Sequence, residues 1–379
     1  MKITLIFLLG AVLGLHLPAG EIEPHIKTTE KTIVKNGGKQ VVTQKLLFFE
    51  DGTSGDNSID YGCIADLESG RQTTSNFGLR FGRFGNGGWC IWNFFRLMVR
   101  DNGRLVNEIR KAPAELVSLT RFKEGVVIDF VWPFSKNGQE GKLCLRFIQY
   151  KAMKNWLFLK VKLEGVPLEK GDHIAFSAWP GGTEWEAPGR ERCFAISGQE
   201  QALTGKDSEL VPQGNAIALF NKVWREDYGN LMVFQPEKFE TLTVASGGNE
   251  VSLKFLPKGE IREFEFALSY FSKKHYSDVV PRFLSEQSLG IADKLARIDW
   301  NPKPDIEEFE KTLALTRMLL EKQAQHAPKL KDFRGELNEI LKSFEVAKAQ
   351  NDIIGYDQAL AKLKALKDEF CKVALNEMK

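Results

Sequence analysis

From about residue 23 to residue 271 the chain is written in short alternating runs closed by Gly or Asn, and no stretch of it carries helical spacing. In "NWLFLKVKLEG" Leu157, Leu159, Val161 and Leu163 share one side while Lys160 and Lys162 take the other, the period of a half-buried antiparallel strand. "EPHIKTTEKTIVKNGGKQVVTQKLLFFEDG" reads as two extended runs around Gly37-Gly38. Asn102-Gly103 closes the apolar run "NGGWCIWNFFRLMVRDNGRLV", and Asn137-Gly138 turns the hairpin in "GVVIDFVWPFSKNGQEGKLCLRFIQY". Strands are also expected at 173–179 and 193–196. "ETLTVASGGNEVSLKFLPKGEIREFEFALSYF" gives three more, with turns at Gly247-Gly248 and Lys258-Gly259 and a bulge near Glu263.

This pattern excludes a βαβ fold and predicts a mainly β architecture, an antiparallel β-sandwich. The span is too long for one immunoglobulin-sized module, so it holds either two small sandwiches or one large one. It contains no Pro/Ser-rich linker, which favours one large sandwich. The 27 phenylalanines supply material for its core.

After Phe271 the period changes. "HYSDVVPRFLSEQSLGIADKLARI" reads as a helical connector interrupted near Gly290. "WNPKPD" then stops regular structure and offers Asp305 as a helix N-cap. Three apolar stripes at three-four spacing follow: Ile306, Phe309, Leu313, Thr316 and Leu320; Leu330, Phe333, Leu337, Ile340 and Phe344; Tyr356, Leu360, Leu363, Leu366, Phe370 and Val373. "HAP" at 326–328 and "QNDIIG" at 350–355 separate them. They predict a C-terminal helical bundle, or a helical hairpin packed on the sandwich. The expected division is therefore 1–20, 21–271, 272–303 and 304–379. The Pro-rich junction is expected to be the least protected segment.

Residues 1–20, "MKITLIFLLGAVLGLHLPAG", have the form of a secretory signal: Lys2, an apolar middle at 3–15, then small residues. The run is short for a membrane span, although an uncleaved anchor is an alternative. The chain is expected to be exported, periplasmic or extracellular, with no span after cleavage. Export permits disulfides among Cys63, Cys90, Cys144, Cys193 and Cys371; mostly free thiols are expected, with Cys63–Cys90 as the pair if one forms. No cysteine–histidine cluster has metal-ligand spacing, and no cofactor or metal is expected.

The formal net charge of +2 is spread along the chain, which argues against nucleic acid as a partner. Phosphate-loop, dinucleotide-loop, nucleophile-elbow and zinc-helix motifs are missing. Asp51, Asp56 and Asp60 in "DGTSGDNSID" could hold calcium, or the segment is a solvated turn.

One connection stands apart. "WPGGTEWEAPGRER" (179–192) is too long and too aromatic for a plain hairpin. Trp179 and Trp185 offer flat apolar faces. Glu184 and Glu186 share a side in an extended segment, as do Arg190 and Arg192. An aromatic platform beside carboxylates and guanidinium groups suits a polyhydroxylated ligand, and paired carboxylates serve as acid and base on a sugar ring. His173, on the strand leading into the loop, is a further candidate acid or base. "KVWREDYGN" (222–230) repeats the chemistry with Trp224 and Asp227, so convergence of the two loops would mark a site. The alternative is a corner in which tryptophans plug the sandwich edge and Glu–Arg pairs lie on the surface.

"LPKGEIREFEFALSYF", with Pro257, Gly259, Glu260 and the strand after them, resembles the closing part of galactose-mutarotase-like supersandwich domains. The resemblance implies a supersandwich fold and a carbohydrate ligand, as in exported carbohydrate-active proteins. Mutarotases use a histidine and a glutamate as catalytic pair; no catalytic role transfers to His173 or Glu184, and the helical tail is not part of that fold. Two readings follow: an exported carbohydrate-binding or carbohydrate-active protein, or a non-catalytic cell-envelope protein whose helical tail docks a protein partner.

Overall fold

The computed structural model describes residues 24–377 apart from 36–37, 49–56, 75–76, 86–87, 108–111, 181–191, 204, 223–228, 248–249, 272–273, 324–330 and 351. Two antiparallel sheets face each other. The larger has 12 described strands, in the order Ser208–Leu210, Phe239–Gly247, Glu250–Pro257, His173–Pro180, Gly88–Asp101, Gly78–Gly85, Ser58–Asp60, Gly38–Phe48, Cys63–Asp66 and Gln72–Thr74. His25–Lys35 pairs with Gly38–Phe48, and Arg104–Asn107 with Gly88–Asp101. The smaller has nine: Gln199–Ala202, Arg192–Ile196, Ala216–Asn221, Gly229–Phe234, Glu263–Phe271, Trp156–Glu164, Gln139–Tyr150, Gly125–Lys136 and Glu115–Phe122. One continuous core lies between them, rich in phenylalanine and including Trp92, Phe95, Phe130, Trp132, Phe176, Phe255 and Phe266. This is one large sandwich.

The turns are those the sequence signals. Asn102 and Gly103 have φ of +48° and +79°, Asn137 and Gly138 +50° and +78°, the left-handed pair a two-residue hairpin needs. No bulge forms at Glu263: that strand starts there, opposite Lys162, while Ile261 bridges to Leu168. Cys63 is a free thiol. Its strand and that of Cys90 are separated by three others, an offset of roughly 19 Å at the usual strand spacing, so a Cys63–Cys90 disulfide does not form.

The smaller sheet is covered on both faces. Leu157, Leu159, Val161 and Leu163 point into the inter-sheet core, but Phe158 is equally buried on the other side. There it meets the connector: α1 (Tyr276–Arg282), a π-helical turn at Phe283–Gln287 and α2 (Ser288–Ala296), which contribute Val280, Phe283 and Leu295. The expected break at Gly290 is not there. Gly290 lies inside α2, and the irregularity follows Pro281, which has no N–H to give and crowds the preceding turn.

Farther along the same face, charge replaces apolar surface. Arg146 grips Asp129 through Nε at 2.6 Å and Nη2 at 3.1 Å, and Lys160 pairs with Glu263 at 2.9 Å. This ladder receives the junction. Arg146 Nη1 donates to the carbonyl of Trp300 at 2.8 Å and to Asn301, and Asp305 N donates to Arg121 O at 2.9 Å. Asp305 then caps α3 (Glu307–Gln323), its carboxylate accepting from Glu307 N at 3.0 Å. α4 (Lys331–Gln350) and α5 (Ile353–Glu377) complete a three-helix bundle with its own core of Phe309, Leu337, Phe344, Tyr356, Leu363 and Phe370. The bundle docks through α5: Thr120 Oγ1 donates to Ile353 O, and Leu119 N to Asp357 Oδ2.

One end of the sandwich is riveted shut. Asp172, fully buried, accepts from Arg100 N at 2.7 Å, Lys136 Nζ at 2.7 Å and Glu169 N at 2.9 Å. Beside it the two Asn-Gly turns clasp across the sheets: Asn102 N donates to Asn137 Oδ1 and Asn137 N to Asp101 Oδ1. Burial lowers the Lys136 pKa, but the hydrogen bonds its ammonium donates to Asp172 and Glu169 outweigh it and hold the amine above its ordinary range. Lys136→Met strands a buried carboxylate and should cost about 3–5 kcal/mol in urea unfolding; an unchanged midpoint would refute the rivet. A second expectation concerns the strap. Arg146→Met should raise cleavage within 298–306 severalfold in limited proteolysis, and identical cleavage in both proteins would show that Arg146 does not hold the junction.

Candidate functional site

The opposite end carries the long connections of the sequence. There Pro180 pairs with Cys90 in the larger sheet, while Arg192 pairs with Asn221 in the smaller one. The 181–191 and 222–228 connections therefore leave from neighbouring strand ends. Glu184, Trp185, Glu186 and Arg190 lie outside the described residues, as do Trp224 and Asp227. Trp179 and Arg192, at the stems of the first connection, are described: Trp179 is half-buried and Arg192 buried.

His173 does not join them. It opens the strand that Pro180 closes, so roughly 23 Å of extended chain separates it from the loop. It sits instead beside Asp172 at the riveted end.

The outer face of the larger sheet supplies a polar patch at the foot of the loop. Phe176 and Ala178 belong to the inter-sheet core, so Ser177 and Trp179 face outward. Phe94 pairs with Ser177 and Trp92 with Ala178, which leaves Asn93 as the extra residue of a bulge. The next strand is irregular at the same place, and Arg80 there has a φ of +30°. Such strained positions cluster at functional sites. Asp60 holds the patch's edge, accepting from Gln44 Nε2 at 2.9 Å and Gly62 N at 3.3 Å, with Arg80 at 3.6 Å. Asp60 lies on a strand, while Asp51 and Asp56, the other residues of the calcium alternative, lie outside the described residues. Across the patch Arg96 pairs with Glu250 at 2.8 Å.

Two atoms of this patch are spare. Asn93 Nδ2 and Ser177 Oγ have no hydrogen-bond partner among the described residues, although the residues are only 5% and 1% exposed. Around the sandwich's rim, Arg192, Asn221 and Asn230 face inward between the sheets, on the side of Phe194, Leu219 and Met232. Asn230 is fully buried with neither amide atom paired among the described residues. An unpaired buried polar atom costs about 1–3 kcal/mol, so Asn93, Ser177 and Asn230 each detract from folding stability. Neutral amides and a hydroxyl beside an indole match hydroxyl groups and C–H surface better than a concentrated charge. Among the described residues no group of three His, Cys, Asp or Glu is placed to hold a metal.

Sequence reading missed Asn93, Ser177, Arg80 and Asn230. The signal was present in part: Asn93 and Asn230 are lone amides in the apolar runs "CIWNFF" and "GNLMVF".

No protein-family model and no curated protein matches the chain. Solved structures do. A putative aldose 1-epimerase from Klebsiella pneumoniae is 12% identical, covering 73% of this chain and 88% of its own, at a TM-score of 0.36. Galactose 1-epimerase from Lactobacillus acidophilus is 8% identical, covering 67% and 100%, also at 0.36. A YidC insertase structure is 14% identical, covering 92% and 66%, at 0.25.

His173 makes the stability of the fold depend on pH. Burial, then Lys254, push its imidazole down to about 4, with Asp172 pulling the other way. The unfolded chain therefore takes up this proton near pH 6.5 and the folded chain only near 4, so stability is complete above 6.5 and falls as pH drops through that window. The loss should approach about 3 kcal/mol. His173→Gln should flatten the difference in urea midpoints between pH 7 and 4.5; equal slopes for the two proteins would refute the assignment.

Proposed function

We propose that the chain is an exported carbohydrate-binding protein whose ligand lies at the end of the sandwich that carries the long connections. The observation that carries this reading is the spare pair Asn93 Nδ2 and Ser177 Oγ, buried at the foot of a loop written with Trp185, Glu184 and Glu186. Trp179 faces the same side as Ser177, and a sugar stacks its C–H face on such a ring while its hydroxyls meet amide and hydroxyl groups. The neighbouring stems of 181–191 and 222–228 support adding Trp224, Asp227 and Arg190 to the same ligand, whereas Arg192 points between the sheets. The distance of His173 from the loop favours binding over a histidine–carboxylate acid–base pair. If chemistry occurs, Glu184 and Glu186 are the groups that would act as acid and base.

The test is a glycan array with the purified protein, followed by affinity measurement on the best hit. Trp185→Ala should weaken binding at least about tenfold, the scale of a lost aromatic anchor. Ser177→Ala removes a hydroxyl that has no partner among the described residues. It should raise stability by about 1 kcal/mol while weakening the sugar about tenfold. A broad array without hits, or a Ser177→Ala protein that binds normally and is less stable, would overturn the proposal.

A further inference from the structure

We infer that the bare edge of the larger sheet, the strand His25–Lys35, is a docking site for an acidic extended segment of a partner protein, which adds to the sheet as one more strand. Its 11 residues pair with Gly38–Phe48 in an unbroken antiparallel register, from His25 opposite Phe48 to Lys35 opposite Gly38. No other strand among the described residues pairs with it. In a strand the backbone N–H and C=O groups of every second residue point away from the paired neighbour. A row of donors and acceptors therefore faces outward along this edge, over a length of about 34 Å.

The sandwich closes its other edges. Ser208–Leu210 and Gln72–Thr74 have 3 residues each, and Gln199–Ala202 and Arg104–Asn107 have 4. Glu115–Phe122, at the margin of the smaller sheet, has 8, but its outward groups are taken. Leu119 N donates to Asp357 Oδ2, Arg121 O accepts from Asp305 N, and Phe122 bridges to Pro304. Short or covered edges are how sheets avoid pairing with other chains. His25–Lys35 is neither short nor covered, and residues 26–32 are all exposed.

Charge and alternation select the occupant. Lys27 and Lys31 stand on one face of the strand, Ile26, Glu30 and Val34 on the other. Ile26 is 46% and Val34 71% exposed. From His25 to Phe48 the hairpin carries lysine at 27, 31, 35, 39 and 45 against the single acid Glu30. A second copy fits this edge poorly. Two identical strands related by a two-fold axis place one residue opposite its own image. Centring on Glu30 opposes two glutamates, centring on Lys31 opposes two lysines, and centring on Thr29 sets Lys27 against Lys31. These are the registers that use most of the strand, and like charges directly opposite destabilise a pair. A segment with acidic side chains at alternate positions answers Lys27 and Lys31 with one face, while valine or threonine on its other face covers Ile26 and Val34. The inference is independent of the carbohydrate reading, because it rests on a backbone edge and not on the 181–191 and 222–228 connections.

The experiment uses the full chain and synthetic peptides of about nine residues. One alternates glutamate with valine or threonine; the other has lysine in place of each glutamate. Fluorescence anisotropy at low salt should show the glutamate peptide binding at least about tenfold tighter. Lys27→Glu combined with Lys31→Glu should reverse that preference with an unchanged circular dichroism spectrum. Two further glutamate peptides test the backbone, one N-methylated on its glutamates and the other on the residues between them. Only alternate N–H groups of an added strand face the edge, so one of these peptides should lose at least about tenfold in affinity while the other keeps it. A glutamate peptide that does not bind, a preference that survives the charge reversal, or two methylated peptides that bind alike would overturn the inference. So would light scattering that shows a dimer dispersed by the glutamate peptide, since the occupant would then be a second copy.

Discussion

Asp172 sets the polarity of the whole molecule. Its carboxylate is fully buried, yet it is satisfied by an ammonium and two backbone N–H groups drawn from both sheets and the loop between them. Burying a charge is tolerable only when its neighbours answer it fully. Fixing Lys136, Arg100 and Glu169 around one point sets the spacing and stagger of the two sheets at that end. The aromatic core then fills the gap between the two sheets along their whole length.

Buried polar atoms without a partner among the described residues occur toward both ends of the sandwich, Asn107, Trp132 and Thr241 among them at the Asp172 end. At the closed end each turn amide of Asn102 and Asn137 finds an oxygen across the sheets. At the other end Asn93, Ser177 and Asn230 are buried with atoms unpaired among the described residues. Nothing in folding selects that arrangement, since a leucine or alanine at those places would be as well packed and less costly. The bulge at Asn93 and the positive φ of Arg80 add strain at the same spot.

How much of this was legible depended on how local each feature is. Period two from Leu157 to Leu163 announced a strand because its alternate side chains meet different media. The Asn-Gly turns were legible because the backbone sign they need is nearly private to those residues. Phe158 was harder: a strand covered on both faces loses its alternation, and only the connector's apolar side explains it. The π turn after Pro281, set against the expected break at Gly290, shows that a proline's missing donor outweighs a glycine's flexibility where the glycine costs no contact. The bulge at Asn93 was not legible, since register belongs to three strands together and not to one.

His173 shows the same limit at the site. In sequence it lies six residues before Trp179, and nearness along the chain suggested nearness in space. A strand is the one element for which that inference fails fastest, because each residue advances about 3.3 Å. The residues that do sit at the foot of the loop come from elsewhere. Asp60 and Arg80 are brought in by ladder pairing from the first third of the chain, and Asn93 by the neighbouring strand. A sheet gathers a site across its strands, so the informative unit in such a sequence is the set of lone polar residues in apolar runs, each awaiting a register that only the assembled sheet provides.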